Sequence, residues 1–215
     1  MDQTLKWFEE YKFIAVIRSS SAEDAEQMIK AALAGGFHLF EVSMQTPQVI
    51  RLLETYSKKN EGTLFGAGMV TDGEVAQRAI NAGAKFLSSH YTDRDIINVA
   101  KHNDIFVIQG AYTPTEAVSA YQFGADLIKI YPVASAGGPA YIKSLRGHLP
   151  FLKLMASGDV DLENAFEYLK YCLAVTVGKG LFDKALLRAN SWTEIAERAR
   201  QFTQKLEATK VSKNA

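Results

Sequence analysis

The strongest constraint on the fold is a unit that recurs along the 215 residues. In each copy, a short apolar, β-branched run is followed by a polar turn and by a stretch whose apolar residues recur with a helical period of about 3.6. The predicted strands are Phe13–Ile17, Leu39–Ser43, Leu64–Gly68, Phe86–Ser88, Ile105–Gln109, Leu127–Ile130, Leu152–Ala156 and Ala174–Val177. The predicted helices are Ala22–Ala34, Pro47–Lys58, Asp72–Ala82, Asp93–His102, Pro114–Phe123, Pro139–Arg146, Asp161–Leu169 and Trp192–Leu206.

Strands that alternate with helices favour right-handed βαβ units and a parallel sheet that is buried on both faces. Eight such units close into a (β/α)8 TIM barrel, and we expect this α/β fold as a single domain. An open, doubly wound sheet is the alternative, but no Gly-x-Gly-x-x-Gly segment follows a predicted strand. We assign residues 1–208 to the barrel and residues 209–215 to a frayed polar tail. A short helix over Met1–Tyr11 is expected to cover the bottom of the barrel through Trp7 and Phe8.

Composition and charge argue against several classes of partner. The 24 Lys and Arg residues balance 24 Asp and Glu residues, so no nucleic acid and no anionic membrane is expected to bind. The first residues lack the apolar core of a signal peptide, and no apolar run reaches the roughly 18 residues that cross a membrane. The single cysteine, Cys172, lies in an apolar segment and is interpreted as a core residue rather than a nucleophile. A cytoplasmic location is expected.

Two charged residues interrupt strands that are otherwise apolar. Lys129 lies within the sixth predicted strand, where burial favours the neutral amine, a form that attacks carbonyl groups and forms Schiff bases. Glu41 lies in the second strand, across the barrel, and a buried carboxylate needs a cationic partner such as Lys129 or Arg18. A carboxylate that reaches the amine through a water molecule is a proton shuttle. The alternatives are a purely structural ion pair and a lysine whose stem reaches the barrel mouth.

Other residues at the carboxyl ends of strands are candidates for substrate binding, because barrel active sites form there. Arg18 can clamp a carboxylate with its planar fork, or it is a surface charge. His90 has no second histidine at a spacing that indicates a metal site. Backbone N–H groups in the loops after the last two strands can hold an anion. The candidate residues in these two loops are Ser157, Gly158, Gly178 and Lys179.

Taken in order, several segments resemble the 2-keto-3-deoxy-6-phosphogluconate / 4-hydroxy-2-oxoglutarate aldolases, including their phosphogalactonate branch. The resemblance extends over about residues 12–206, and the segment around Lys129, together with the one around Glu41, makes it specific. The matching segments are Ala15-Val16-Ile17-Arg18, Ala34-Gly35-Gly36-Phe37-x-Leu39-Phe40-Glu41-Val42, Gly66-Ala67-Gly68-Met69-Val70, Ala82-Gly83-Ala84-Lys85-Phe86, Tyr112-Thr113-Pro114-Thr115-Glu116 and Gly124-Ala125-Asp126-Leu127-Ile128-Lys129-Ile130-Tyr131-Pro132.

The resemblance implies a (β/α)8 barrel that works as a metal-independent class I aldolase, without a cofactor and as a homotrimer. It assigns the Schiff base to Lys129, acid–base chemistry to Glu41 and the pyruvyl carboxylate to Arg18. The expected reaction cleaves a 2-keto-3-deoxy or 4-hydroxy-2-keto acid to pyruvate and an aldehyde. A barrel that binds a keto acid without turnover, and a sugar-phosphate isomerase or epimerase, are the alternatives.

The sequence departs from the pattern of the family in several loops, which include Ser88-Ser89 after the fourth strand, Gln109-Gly110 after the fifth and three positions that bear on substrate binding. Met69 stands where the family has a threonine, Asp159 lies in the phosphate loop after the seventh strand, and Gly180 replaces a serine after the eighth strand. Asp159 repels a phosphate, whereas Lys179 attracts one. The sequence therefore predicts only a weak preference for phosphorylated substrates.

Overall fold

The computed structural model describes residues 2–59 and 62–214, and in it the strands close into a parallel barrel. Each strand pairs with the next, and the eighth pairs with the first. The strands are β1 (Phe13–Ile17), β2 (Leu39–Ser43), β3 (Leu64–Gly68), β4 (Phe86–Ser88), β5 (Phe106–Ala111), β6 (Leu127–Ile130), β7 (Leu154–Ala156) and β8 (Ala174–Val177). The helices of the described residues are α1 (Asp2–Tyr11), α2 (Ala22–Ala34), α3 (Val49–Lys59), α4 (Gly73–Asn81), α5 (Arg94–His102), α6 (Pro114–Phe123), α7 (Gly138–His148), α8 (Ala165–Tyr168), α9 (Lys184–Arg188) and α10 (Trp192–Asn214). The predicted single-domain (β/α)8 TIM barrel is confirmed.

Each strand is buried on both faces, because alternate residues point into the barrel and toward the helices. On β1, Ala15 and Ile17 belong to the large apolar cluster between strands and helices, whereas Ile14 belongs to a separate cluster inside the barrel. The inner cluster fills the lower half of the barrel and includes Leu39, Phe86, Ile108, Leu127, Met155 and Ala174.

Helix α1 closes the bottom of the barrel. Phe8 is fully buried, and its ring lies 5.2 Å from the rings of both Phe86 and Phe106. Trp7 packs against the same cluster from a partly exposed position. This confirms the predicted covering helix, although Met1 lies outside the described residues.

Side chains inside the barrel form layers, because the strands tilt and one residue of every second strand reaches the same height. Following the strand register around the barrel, one such layer contains Glu41, Ser88, Lys129 and Thr176. We call this set the polar layer, and its members are at most 3% exposed. Two residues later in the sequence, at or just beyond the ends of these strands, lie Ser43, His90, Tyr131 and Gly178, which we call the mouth layer. The inner apolar cluster lies below the polar layer, so the chemistry-bearing side chains face only the upper end.

Several element boundaries differ from the sequence prediction by one or more residues, including the end of β5 at Ala111 instead of Gln109 and the end of α7 at His148 instead of Arg146, and two helix boundaries have local reasons. Helix α3 begins at Val49 rather than Pro47, because Gln48 has a φ of 56°, which is left-handed and incompatible with a helix. The predicted helix end at Leu206 was wrong, since α10 continues to Asn214. In that extension Lys210 contacts Glu207 at 2.7 Å, and such exposed ion pairs support a polar helix. The division of the chain at residue 208 stays a prediction.

The region between β7 and α10 also differs from the prediction. Helix α8 is only one turn long, because the Asp161 carboxylate accepts the backbone N–H groups of Glu163 and Asn164 in a turn instead. Helix α9 was not predicted, and it begins where the Asp183 side chain accepts the N–H of Ala185 at 2.8 Å. Among the described helices, none is both long and apolar enough to cross a membrane.

Candidate active site

A buried ion pair joins opposite walls of the barrel. The Lys129 ammonium donates to both carboxylate oxygens of Glu41, at 3.1 Å to Oε1 and 2.9 Å to Oε2. Lys129 is 0% exposed and Glu41 is 3% exposed. The sequence predicted that these residues face one another through a water molecule, but the structure places them in direct contact. A proton can therefore move between the amine and the carboxylate along one hydrogen bond.

Glycine at position 68 makes room for the Glu41 carboxylate. A Cβ on Gly68 would lie 2.4 Å from Oε1 of Glu41, well inside van der Waals contact. Gly110 is the strand neighbour of Lys129, and a Cβ there would lie 2.0 Å from the carbonyl carbon of His90. These two glycines lie between the polar layer and the mouth layer, at positions where a side chain would clash with Glu41 or with the backbone at His90.

The other two members of the polar layer are hydroxyl residues. Thr176 donates to Ser157 Oγ at 2.8 Å, and both side chains are buried. Ser88 is also fully buried, but its Oγ has no hydrogen-bond partner. An unsatisfied buried hydroxyl costs roughly 1–3 kcal/mol, so Ser88 marks a polar position that the folded chain leaves open.

A cavity of about 790 Å³ opens above the polar layer, within the size range of small-molecule sites. Lys129 lies beneath it, behind the Glu41 carboxylate, which forms part of the floor. The cavity brings together all the predicted binding residues, which are Arg18, Ser157, Gly158, Gly178 and Lys179.

Charged side chains surround the outer part of the cavity. Lys179 and Asp159 come from the loops after β8 and β7, and Lys184 adds a cation from the first turn of α9. The loops approach so closely that a Cβ on Gly180 would lie 2.4 Å from the carbonyl oxygen of Val160. The packing of this chain therefore excludes the serine that the family has at position 180.

His90 lies on the cavity wall in the mouth layer, and its ring packs 4.2 Å from the ring of Tyr131. Burial is the main reason why the pKa of the His90 imidazole falls to about 4. The positive charges of Lys129 and Arg18 lower this pKa further, whereas Glu41 raises it. His90 is therefore neutral at neutral pH. Within residues 2–59 and 62–214, no group of three His, Cys, Asp or Glu side chains is arranged to hold a metal.

The sequence analysis singled out neither Tyr131 nor Thr176, and it considered His90 only as a metal ligand. All three line the cavity. The period of two along each strand is the signal that could have found them, because His90 follows Ser88 by two residues and Tyr131 follows Lys129 by two. Lys184 carries no such signal, since α9 lies outside the repeated unit.

Cys172 is excluded as a nucleophile. It is 6% exposed, and burial raises the pKa of its thiol to about 12. The interpretation as a core residue is confirmed.

Comparison with known proteins decides the family. The profile of the KDPG and KHG aldolases (2-keto-3-deoxy-6-phosphogluconate and 4-hydroxy-2-oxoglutarate aldolases) matches residues 5–198. The chain belongs to this family. It is therefore an aldolase, a carbon–carbon lyase of class I that works through a Schiff base, as the sequence resemblance indicated.

Individual relatives agree with this assignment. A probable 2-dehydro-3-deoxy-6-phosphogalactonate aldolase of Rhizobium meliloti is 32% identical over 161 residues, which are 74% of this chain and 76% of the relative. The 2-dehydro-3-deoxy-phosphogluconate aldolase of Pseudomonas aeruginosa is 25% identical over 193 residues, 89% of this chain and 88% of the relative. The KDPG aldolase of Legionella pneumophila, solved with pyruvate captured as a covalent carbinolamine, has a TM-score of 0.84 and 27% identity, and the match covers 93% of this chain and 97% of that one.

Proposed function

We propose that this aldolase cleaves a 2-keto-3-deoxy or 4-hydroxy-2-keto acid to pyruvate and an aldehyde, with Lys129 as the lysine that forms the Schiff base. The observation that carries the proposal is the buried Lys129–Glu41 pair, whose Glu41 carboxylate forms part of the floor of an open cavity. The covalent carbinolamine of pyruvate in the Legionella relative supports the same chemistry.

The geometry of the ion pair supports a role for Glu41 in every proton transfer at the amine. The Lys129 ammonium gives a proton to the carboxylate, 2.9 Å away, and the neutral amine attacks the C2 carbonyl of the substrate. Glu41 then protonates the carbinolamine hydroxyl, which leaves as water while the C2–N imine forms. The imine accepts electrons from the C3–C4 bond, so cleavage needs no metal ion.

The walls of the cavity support the remaining assignments. Arg18 is exposed to the cavity and binds the C1 carboxylate of the substrate with its guanidinium fork. Ser157, Gly158, Gly178 and Lys179 hold the far end of the substrate, near the loops after β7 and β8.

Trapping with borohydride tests the assignment of Lys129. We expect pyruvate plus borohydride to add one reduced pyruvyl group to wild-type protein, and peptide mass spectrometry to locate it on Lys129. The Lys129→Ala variant, with folding verified by circular dichroism, is expected to remain unmodified. An adduct on another lysine contradicts the assignment. An adduct on Lys129 without cleavage of any hydroxy-keto acid indicates a binding protein instead, and isomerisation that is insensitive to borohydride indicates an isomerase.

Substrate charge provides a second prediction. We expect less than about a tenfold preference in kcat/KM for phosphorylated over unphosphorylated 2-keto-3-deoxy acids, because Asp159 opposes Lys179 and Lys184. Removing one partly exposed repulsion is worth on the order of 1 kcal/mol or less, which is about fivefold.

The Asp159→Asn variant isolates that repulsion. Asp159 has a φ of 54°, a left-handed conformation that asparagine tolerates, so the substitution removes the charge without straining the backbone. We expect kcat/KM to rise about fivefold for the phosphorylated substrate and to change little for the unphosphorylated one. A large preference for phosphate in the wild-type protein, left unchanged in Asp159→Asn, contradicts this prediction.

We also infer that the chain works as a homotrimer, as the sequence resemblance implies, and that it works in the cytoplasm. Tyr121 and Phe151 support a contact between copies, since they are 47% and 50% exposed and their rings lie 5.1 Å apart. Light scattering tests the assembly: a mass of about three chains of 23.7 kDa is expected, and the mass of a single chain contradicts it.

A further inference from the structure

His90 is a neutral imidazole on the cavity wall, and the proton transfers between Lys129 and Glu41 do not involve it. It lies on the cavity wall, on the same face of the β4 end as Ser88 and two residues closer to the mouth. Neither nitrogen of its ring hydrogen-bonds to another described residue, although the Tyr131 ring packs against it at 4.2 Å. The ring is therefore oriented by packing, and its nitrogens remain available to a ligand.

Cleavage of the C3–C4 bond needs an acceptor for the proton of the C4 hydroxyl. Two residues along a tilted strand raise a side chain by about 5 Å along the barrel axis. A substrate whose C2 is bonded to Lys129 extends upward, and its C4 hydroxyl oxygen lies three bonds beyond C2. Glu41 holds Lys129 with both oxygens in the layer below. His90 is thus beside the upper part of the bound substrate.

We propose that His90 is a catalytic residue that takes the proton of the C4 hydroxyl when the C3–C4 bond breaks, and that returns it in the reverse addition. This inference rests on the proposed function and deepens it, because it divides proton transfer between Glu41 at the amine and His90 at the aldehyde half.

Cleavage of the C3–C4 bond moves one proton and three electron pairs. The hydroxyl proton moves to a ring nitrogen of His90, and the O–H electron pair becomes the second C–O bond of the aldehyde. The C3–C4 pair becomes the C2–C3 double bond, and the π pair of the protonated imine moves onto the Lys129 nitrogen. The products of the step are an enamine on Lys129, a free aldehyde and an imidazolium on His90.

The surroundings of His90 keep it ready for this step. The charged and titratable groups around it are Lys129 and Tyr131 of β6 and its end, Glu41 of β2 and Arg18 after β1. Burial and the two cations keep the imidazole neutral, with a pKa of about 4, so a ring nitrogen has a free lone pair at neutral pH. After the step, the same surroundings favour rapid release of the proton to solvent.

A His90→Gln variant tests the proposal, because the rate of cleavage can be compared with the rates of reactions that take place at the Lys129 amine. In His90→Gln we expect kcat for cleavage to fall about 100-fold, the lower end of general-base effects. We expect trapping of pyruvate on Lys129 and exchange of deuterium into the pyruvate methyl group to stay within about twofold, because neither process involves a C4 hydroxyl. His102→Gln changes a histidine at an exposed position of α5 and serves as the matched control. It should leave the rates of cleavage, trapping and deuterium exchange unchanged.

Chemical rescue distinguishes a base from a packing residue. We expect added imidazole to raise cleavage by His90→Ala about tenfold at pH 7.5 and much less at pH 5.5. Free imidazole has a pKa of roughly 6.5 and is mostly protonated at the lower pH, whereas His90 itself stays neutral there. Wild-type protein should gain nothing from imidazole at either pH.

Two outcomes overturn the inference. Cleavage that stays within about threefold of wild type in His90→Gln shows that His90 is not the base. Equal losses of cleavage, trapping and deuterium exchange, without rescue by imidazole, show that it only supports the shape of the site. Failure of the proposed function looks different, since wild-type protein would then form no adduct on Lys129.

Discussion

Replacing Lys129 with methionine is expected to lower kcat/KM for aldol cleavage on the order of 10⁴-fold or more, because the nucleophile that we propose is lost. The substitution also leaves the Glu41 carboxylate buried without a partner, which costs roughly 3–5 kcal/mol of unfolding free energy. Steady-state cleavage assays and denaturant unfolding measure the two effects separately.

The double variant Lys129→Met/Glu41→Gln is the control for this experiment. It removes both charges, and replacing a buried pair by neutral residues is often neutral or stabilising. We expect it to recover most of the stability that the single variant loses and to remain inactive. If activity returned together with stability, the loss in Lys129→Met would reflect misfolding, and Lys129 would not be the nucleophile.

Replacing Glu41 with glutamine is expected to lower cleavage by roughly 10²–10⁴-fold, the usual range for loss of a general acid–base. Glutamine keeps the size of the side chain, but it cannot accept the proton of the Lys129 ammonium. The amine is still present, so pyruvate should still be trapped by borohydride, although at a much lower rate. The time course of trapping therefore separates this variant from Lys129→Met, which forms no adduct.

Glu41→Asp offers a graded comparison, because it keeps the charge and moves the carboxylate away from the amine by one methylene. We expect its rates to lie between those of Glu41→Gln and wild type. Trapping in Glu41→Gln at the wild-type rate would mean that another group carries the protons of imine formation.

The Lys129–Glu41 pair could be predicted because a charged residue is unusual in a strand that is otherwise apolar. Lys129 and Glu41 interrupt apolar runs, and burial demands that opposite charges meet. The barrel itself could be predicted from the same runs and from their alternation with helical periods. The direct contact between the two side chains could not, since it depends on the space left by Gly68 on another strand.

The periodicity of the sequence could not predict features of the site and the fold that depend on loop conformation. Lys184 enters the cavity from α9, which lies outside the repeated strand–helix unit. The start of α3 depends on the left-handed conformation of Gln48, and a single glutamine gives no sign of it. The exclusion of a side chain at Gly180 depends on the approach of Val160 from a different loop.

The covering of the barrel bottom by Phe8 has a consequence for turnover. Substrate, water and products therefore enter and leave through the cavity at the upper end of the barrel. Pyruvate stays covalently attached at the deepest point until its bond to nitrogen is hydrolysed. The aldehyde therefore has to depart before pyruvate, and a high aldehyde concentration should return the enamine to the substrate imine by recombination and so slow the release of pyruvate.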